Sequence, residues 1–255
     1  MELSGRTAIV TGSAVGVGRA TALDFARRGA NVVVNYSRSE QEAKETLAGV
    51  EGLGAKGLLV RADVSQDGEV RSMVRQAADA FGSIDVLVNN AATTTFVNFA
   101  DLEGMKEEYW DRILAVNLKG AFFCCRAAAG PMREAGRGAI VNVASIAGIR
   151  AIGSSIAYAA SKAGLINMTI ALARVLAPEI RVNAVAPGFI DTRWLREGLG
   201  EAVYDVAKQQ TAERTPLKRV ASPEDGAQAI LSLIEGADFV TGQTVVVDGG
   251  NAIQV

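Results

Sequence analysis

No histidine occurs anywhere in the 255 residues of this chain. That absence excludes histidine-based catalytic triads and histidine-ligated metals, so acid–base work must fall to Tyr, Lys, Asp or Glu. Cysteine is nearly absent too. The only two, Cys124 and Cys125, are adjacent and flanked by Phe122, Phe123 and Ala127, which reads as a buried helix stripe in a reducing compartment rather than a metal or redox site. Neither sign of charge is in excess. With 26 basic against 28 acidic residues, a net charge of −2 and a pI near 5.4, the chain has no field to hold nucleic acid or an anionic membrane. It also lacks an unbroken apolar run of about 18 residues and a charged-then-apolar leader, so a cytoplasmic location is expected.

What is present is a regular alternation. Short β-branched runs at 7–11, 31–35, 56–61, 86–89, 139–143, 181–186 and 244–248 are separated by amphipathic stretches. Helices are expected up to Arg28 and over 39–49, 67–81, 106–129 and 156–176. Near-continuous Val, Ile and Leu in the short runs points to a parallel sheet covered on both faces, with βαβ connections. No Pro/Gly-rich linker or composition shift interrupts the pattern, so residues 1–255 read as one three-layer, doubly wound α/β domain with a seven-stranded parallel sheet. Residues 188–222 are the exception. Carrying Trp194, Tyr204 and several charges, that irregular segment reads as a substrate lid.

Two positions carry the first chemical signal. Tyr158 and Lys162 are four apart on an expected helix and therefore share a face, one turn from each other. A cation beside a phenol favours the phenolate and eases proton exchange with an alcohol. Ser145, thirteen positions earlier, could hold the substrate oxygen, and Asn117 lies further upstream. Each has a plainer reading: a surface Tyr/Lys pair, a serine capping a turn, an asparagine stitching helix to strand.

The second signal is the run T-G-S-A-V-G-V-G from Thr11 to Gly18, between the first strand and the first helix. Gly12 permits a sharp turn, Gly16 lets the backbone approach a pyrophosphate, and Gly18 allows close packing of helix on strand. Ser13, Val15 and Val17 complete the loop, and the helix N-terminus attracts phosphate charge. The spacing G-x-x-x-G-x-G differs from the commoner G-x-G-x-x-G.

Taken together, these motifs resemble the short-chain dehydrogenase/reductase family in its single-domain Rossmann form. Asp63-Val64 after the third strand, Asn89-Asn90-Ala91-Ala92 after the fourth, Asn117, and Pro187-Gly188-Phe189-Ile190 after the sixth occur in that family's order, with Ala92 replacing its usual glycine. The resemblance implies an enzyme that moves a hydride between nicotinamide and a carbonyl or secondary alcohol. Tyr158 would exchange the proton, Ser145 would hydrogen-bond the reacting oxygen, Lys162 would bind the nicotinamide ribose and lower the tyrosine pKa, and Asn117 would support a proton-relaying water. It further implies that Asp63 and Val64 contact adenine, that Asn90 and Ala91 pass under the adenosine ribose, and that Pro187, Gly188, Ile190 and Thr192 frame the nicotinamide, with Asp191 facing solvent. For Asp63 a helix-capping reading stands beside this, although Asp67 is the better cap candidate.

Cofactor choice turns on V-V-V-N-Y-S-R-S at the end of the second strand. No acid is there to receive a ribose 2′-OH, whereas Asn35, Tyr36, Ser37 and Arg38 offer donors and one fixed charge for a 2′-phosphate. NADP(H) is expected, with NAD(H) as the alternative because Val15 stands where many NADP-using relatives are basic. The substrate pocket should include Ala147, Ile149, Ile152 and 93–96, mostly apolar. Much of the chain resembles the 3-oxoacyl-carrier-protein reductase branch. Arg133 and Arg137 could meet an acidic carrier, but Glu179 opposes it, so a free carbonyl or polyol substrate is expected. The relatives' habit implies a homotetramer. A catalytically silent dinucleotide sensor on the same fold is the competing class, disfavoured because such proteins lose the tyrosine or lysine; a methyltransferase would lack a role for Tyr158 and Lys162.

Overall fold

The computed structural model describes residues 1–253. Seven parallel strands, β1 (Thr7–Val10), β2 (Asn31–Tyr36), β3 (Gly57–Arg61), β4 (Val86–Asn89), β5 (Gly138–Val143), β6 (Ile180–Pro187) and β7 (Thr244–Val247), form one sheet in the order β3-β2-β1-β4-β5-β6-β7. Strand side chains alternate between faces, and over the central strands both faces are covered. Val32, Val34, Val86, Val88 and Val141 pack beneath α1 (Gly16–Arg27), α2 (Glu40–Gly52) and α10 (Pro223–Glu235). Their neighbours Ile9, Val33, Leu87 and Ile140 pack beneath α3 (Asp67–Phe81), α5 (Ala121–Glu134) and α7 (Ile156–Leu176). This is why the strands read as continuous apolar runs: a strand covered on both sides has no solvent face to mark with polar residues.

The order in which strands are added reverses between β1, which leads outward through β2 to β3, and β4, which leads the other way to β7. In such sheets a crevice opens beyond the carboxyl ends of the strands at the reversal. Every motif singled out in the sequence falls on that rim.

Three stretches differ from the expectation. The helix of 106–129 is three pieces: α4 (Glu107–Leu114), a π-helical turn (Ala115–Gly120) that contains Asn117, and α5, which runs through Pro131 to Glu134. Proline removes a single helical bond there, and buried Met132 anchors the last turn against the sheet. Between β6 and α10 the expected irregular segment is instead α8 (Arg193–Leu199) and α9 (Glu201–Arg214). Arg193 and Glu197 pair along α8, and fully buried Tyr204 nails α9 down. Finally, α10 is a helix beyond those expected, started by a reciprocal Ser222/Asp225 capping box with Pro223 in its first turn. A one-turn helix α6 (Ala147–Arg150) precedes α7.

The segment Glu107–Glu134 and α7 are long and apolar enough to cross a membrane by composition alone, but about half of each is buried within the fold. Cys124 and Cys125 are free and fully buried, and burial pushes both thiols far above their ordinary range.

Candidate active site

Ser155 starts α7 by accepting a hydrogen bond from the Tyr158 N–H, at 3.3 Å. This sets the phenol on the face of α7 that looks along the rim of β5. Ser145 stands just past the end of β5 beside the phenol, and its Oγ accepts from Ala147 N at 3.1 Å and donates to Pro187 O at 3.5 Å. Lys162 lies one turn further along, 2 % exposed. Its Nζ sits 5.7 Å from the centre of the Tyr158 ring and donates to Val143 O at 2.7 Å. A hydroxyl, a phenol and an ammonium thus converge at the carboxyl end of β5.

Burial governs their charges. It pushes the phenol up to about 12, Ser145 beside it opposing the rise, and brings the Lys162 ammonium down to about 8. Desolvation of the phenolate therefore dominates, and the Tyr158 pKa stands above its ordinary value rather than below it as expected. The Asn117 carboxamide accepts from Thr93 N at 2.8 Å and donates to Thr93 O and Ser161 Oγ, both at 3.0 Å, so the side chain ties the loop after β4 to α7.

The turn after β1 follows the glycine logic at two of its three positions and sharpens the third. Gly12 has φ +61°, and a Cβ there would come within 2.9 Å of Ala91 Cα. Gly18 has no room because a Cβ would approach Asn90 Nδ2 and Gly12 O at 2.5 Å; the crowding comes from this loop and the next, not from a strand. Gly16 is the open one. At φ +58°, its missing Cβ would meet only the Thr192 methyl, at 3.6 Å. Behind it Val15 is the N-cap of α1, which has neither a side-chain cap nor an acid in its first turn. An open glycine, uncapped helix N–H groups and the sheet reversal make a cradle that fits a dinucleotide pyrophosphate. Thr11 and Asn90 brace it: Thr11 Oγ1 accepts from Asn90 N and Ala91 N, and Asn90 Nδ2 donates to Thr11 O and Gly12 O. Ser13 and Val17 face inward, Ser13 bonded to the β2 backbone and Val17 packed on Gly226.

At the end of β2 the donors divide. Asn35 is buried, with Oδ1 accepting from Gly12 N and Nδ2 donating to Val60 O and Ala62 O, which removes it from the expected phosphate donors; it ties the turn after β1 to the end of β3 instead. Tyr36 is half-buried on the core. Ser37 and Arg38 do line a cavity of about 500 Å³, with Arg61, Asp63, Gln66 and Glu69. Arg61 was missed in the sequence; the signal was its position as the last residue of β3, in register with Tyr36. The Asp63 carboxylate accepts from Ser65 N, Ser65 Oγ and Arg112 Nη, and these outweigh its burial to hold its pKa below the ordinary range. Val64 packs on Gly120. Asp67 is not a cap: Gln66 is the N-cap, and Asp67 pairs with Arg71 and Arg126 at 2.9 and 2.7 Å.

On the other lip, the Gly188 N–H donates to Val247 O, and Pro187 O accepts from Ile146 N. Ile190 forms an isolated parallel bridge with Ala221 through Phe189 O and Asp191 N, so its own N–H points the opposite way, as parallel pairing requires. Asp191 is 37% exposed, in keeping with the expectation that it faces solvent, but it is not free. It accepts from the buried Tyr204 hydroxyl and pairs with Lys208, fastening α9 to the loop after β6, and Phe189 stacks on Tyr204 with ring centres 5.6 Å apart. Arg133 and Arg137 lie on the wrong rim for a partner of this crevice. Arg137 precedes β5 and is bound to buried Asp85 at 3.2 Å, a whole strand away from Ser145, while Arg133 donates to Val175 O.

Comparison with known proteins agrees with this layout. Residues 12–252 match a family model described as enoyl-(acyl carrier protein) reductase. The chain is 40% identical to a 3-oxoacyl-(acyl-carrier-protein) reductase of Thermotoga maritima over 99% of this chain and all of that protein. It is 39% identical to the one of Staphylococcus epidermidis over 96% and 98%. The solved structure of a levodione reductase superposes with a TM-score of 0.91 over 99% of both chains at 30% identity.

Proposed function

The chain belongs to the short-chain dehydrogenase/reductase family, and on that premise we propose that it is an NADP(H)-dependent oxidoreductase reducing a carbonyl substrate, or oxidising the matching secondary alcohol, with Tyr158 as the proton-transfer group. The observation that carries this reading is Ser145 at the end of β5 beside the Tyr158 phenol, with Lys162 one turn below, on the same rim as the open Gly16 cradle.

The nicotinamide, when bound, supplies or accepts the hydride; the chain's own groups do the rest. With its pKa near 12, Tyr158 is protonated at neutral pH and able to donate to an oxygen that gains negative charge. Ser145 offers a second donor to the same oxygen. The phenolate left behind is stabilised by the Lys162 ammonium, which at a pKa near 8 is mostly charged at pH 7. Pro187, Gly188, Ile190 and Thr192 would frame the nicotinamide, and Asn90, Ala91, Asp63 and Val64 would border the adenosine.

Arg38 and Arg61 in one cavity, with Ser37 beside them and no acid at the end of β2, support NADP(H). Asp63 and Glu69 in the same cavity are the observation that favours NAD(H) instead. We also infer that α8 and α9 act as a lid on a single domain. Exposed Phe122, Ile170 and Val175 on α5 and α7, and Val245 and Val246 on β7, support assembly into a homotetramer, which sedimentation would test. Two buried, unpaired cysteines are in keeping with a cytoplasmic protein, to be tested by fractionation.

A carbonyl panel read by NADPH and NADH absorbance side by side tests the reading. Tyr158→Phe should abolish turnover and leave NADPH binding intact. Turnover by Tyr158→Phe would refute the assignment, and NADPH binding with no turnover of any carbonyl by the unmodified protein would favour a sensor.

A further inference from the structure

The shell around Tyr158 restricts what can reach it. Trp194, the second residue of α8, lies against the phenol with ring centres 5.9 Å apart and planes at 46°. Its other side meets Phe96, at 6.1 Å and 56°. Both are the tilted geometries that aromatic pairs prefer. Gly198 stands four residues after Trp194, on the same face of α8, and any Cβ there would overlap the Phe96 ring. The helix is therefore shaped to accept Phe96 beneath it.

The remaining walls continue in kind. Phe99 packs on Ala147, Tyr158 and Ala159. Ile149 and Ile152, from the segment between β5 and α7, are 52% and 43% exposed. That segment is turned towards the phenol by Gly153, at φ +113°, whose missing Cβ would lie 3.8 Å from Tyr158 Cδ1. It is fastened to the loop carrying Phe96 by Ser154, through Val97 N→Ser154 O at 2.9 Å and a Thr94–Ser154 hydroxyl pair at 2.6 Å. Those two hydroxyls are thereby engaged with each other. The charged residues of α8 turn outward: Arg193 to Glu42 and Glu197, Arg196 to Glu201 and across the Tyr204 ring.

We propose that the substrate is an uncharged ketone bearing an apolar ring next to its carbonyl, with the ring seated against Trp194 and Phe96. The proposal deepens the oxidoreductase reading and rests on it for the position of the carbonyl oxygen. An oxygen that reaches both Tyr158 and Ser145 brings its carbon substituents into this apolar, aromatic shell. A ring fills it and gains edge and face contacts. A thin acyl chain or a polyol gains little there, the polyol also losing hydrogen bonds to water.

The experiment is calorimetric titration of the NADPH complex of Tyr158→Phe, which separates binding from turnover. The probes are 1-phenylethanone, the straight-chain 2-octanone with the same number of carbons, and an acetoacetyl thioester of pantetheine. The phenyl ketone should bind on the order of tenfold tighter than the other two, the factor expected of one or two aromatic contacts. Trp194→Ala should remove that margin and Trp194→Phe should retain most of it, the second variant guarding against simple loss of fold. Equal or tighter binding of the linear ketone or the thioester, or a margin unchanged in Trp194→Ala, would overturn the proposal. Failure of the catalytic reading shows up separately, as turnover by Tyr158→Phe.

Discussion

Arg193 reaches from the first turn of α8 to Glu42 on α2, closing a 2.8 Å ion pair across the mouth of the glycine cradle. One end belongs to the loop that would frame the nicotinamide and the other to the helix that follows the Arg38 turn, so the pair spans the path of a dinucleotide. Both partners are partly exposed, and such pairs contribute little. Glu42→Gln should therefore speed NADPH release modestly, about two- to fivefold in a stopped-flow chase. The difference should vanish at high salt, where exposed charges are screened; a salt-independent effect would mean that Glu42 acts in some other way.

Asp191 fastens α9 to the loop after β6. Lys208 and the Tyr204 hydroxyl both bind its carboxylate and hold its pKa below the ordinary 3.8. A depressed carboxyl contributes stability above its unfolded pKa and loses it as pH falls through the folded one. Asp191→Asn should accordingly cost about 1–2 kcal/mol at pH 7, with the cost shrinking below pH 3.8. Urea unfolding gives the first number. Limited proteolysis gives the location, because cleavage should appear within 193–214 before it appears elsewhere.

Lys162 carries a stability penalty that chemistry requires. Burial lowers its pKa from 10.5 to about 8, which corresponds to about 3 kcal/mol against the charged form. The unfolded chain prefers the ammonium, so the penalty is full below pH 8 and fades as pH rises towards 10.5. Lys162→Met should thus melt higher than the unmodified protein at pH 7, lose that gain with rising pH, and have lost turnover throughout. A variant less stable at pH 7 would contradict the sign.

The cavity at the end of β2 and β3 makes a paired prediction. Arg38→Asp should raise the KM for NADPH by on the order of tenfold or more and lower that for NADH, since it trades a phosphate partner for a hydroxyl acceptor. Arg61→Ala should weaken NADPH by a smaller factor and leave NADH unchanged. If Arg61→Ala affects both cofactors equally, its role is structural.

Much of this was legible before any coordinates. Strands buried on both faces announce themselves by composition, and Tyr158 and Lys162 share a helix face by arithmetic alone. The glycine turn could be read because each glycine answers a local backbone demand. What escaped were partners far apart in the chain. Asn35 looked like a phosphate donor, yet its carboxamide is engaged by the backbone of the turn after β1 and of the end of β3. Asp191 looked solvent-facing because nothing nearby in sequence pairs with it; Tyr204 and Lys208 arrive one helix later. The segment 188–222 hid two helices because α8 spans only seven residues and α9 keeps just Tyr204 fully covered, so neither displays a broad apolar stripe.

Sequence by itself determined the doubly wound sheet, the glycine turn and the placing of Tyr158 and Lys162 on one helix face, since these rest on periodicity, glycine geometry and helix spacing, which act over a few residues. Tertiary structure alone decided the charge state of Tyr158 and Lys162, the clamp on Asp191 and the aromatic shell of Phe96 and Trp194. Those depend on desolvation and on contacts between distant segments, and both exist only once the chain has folded.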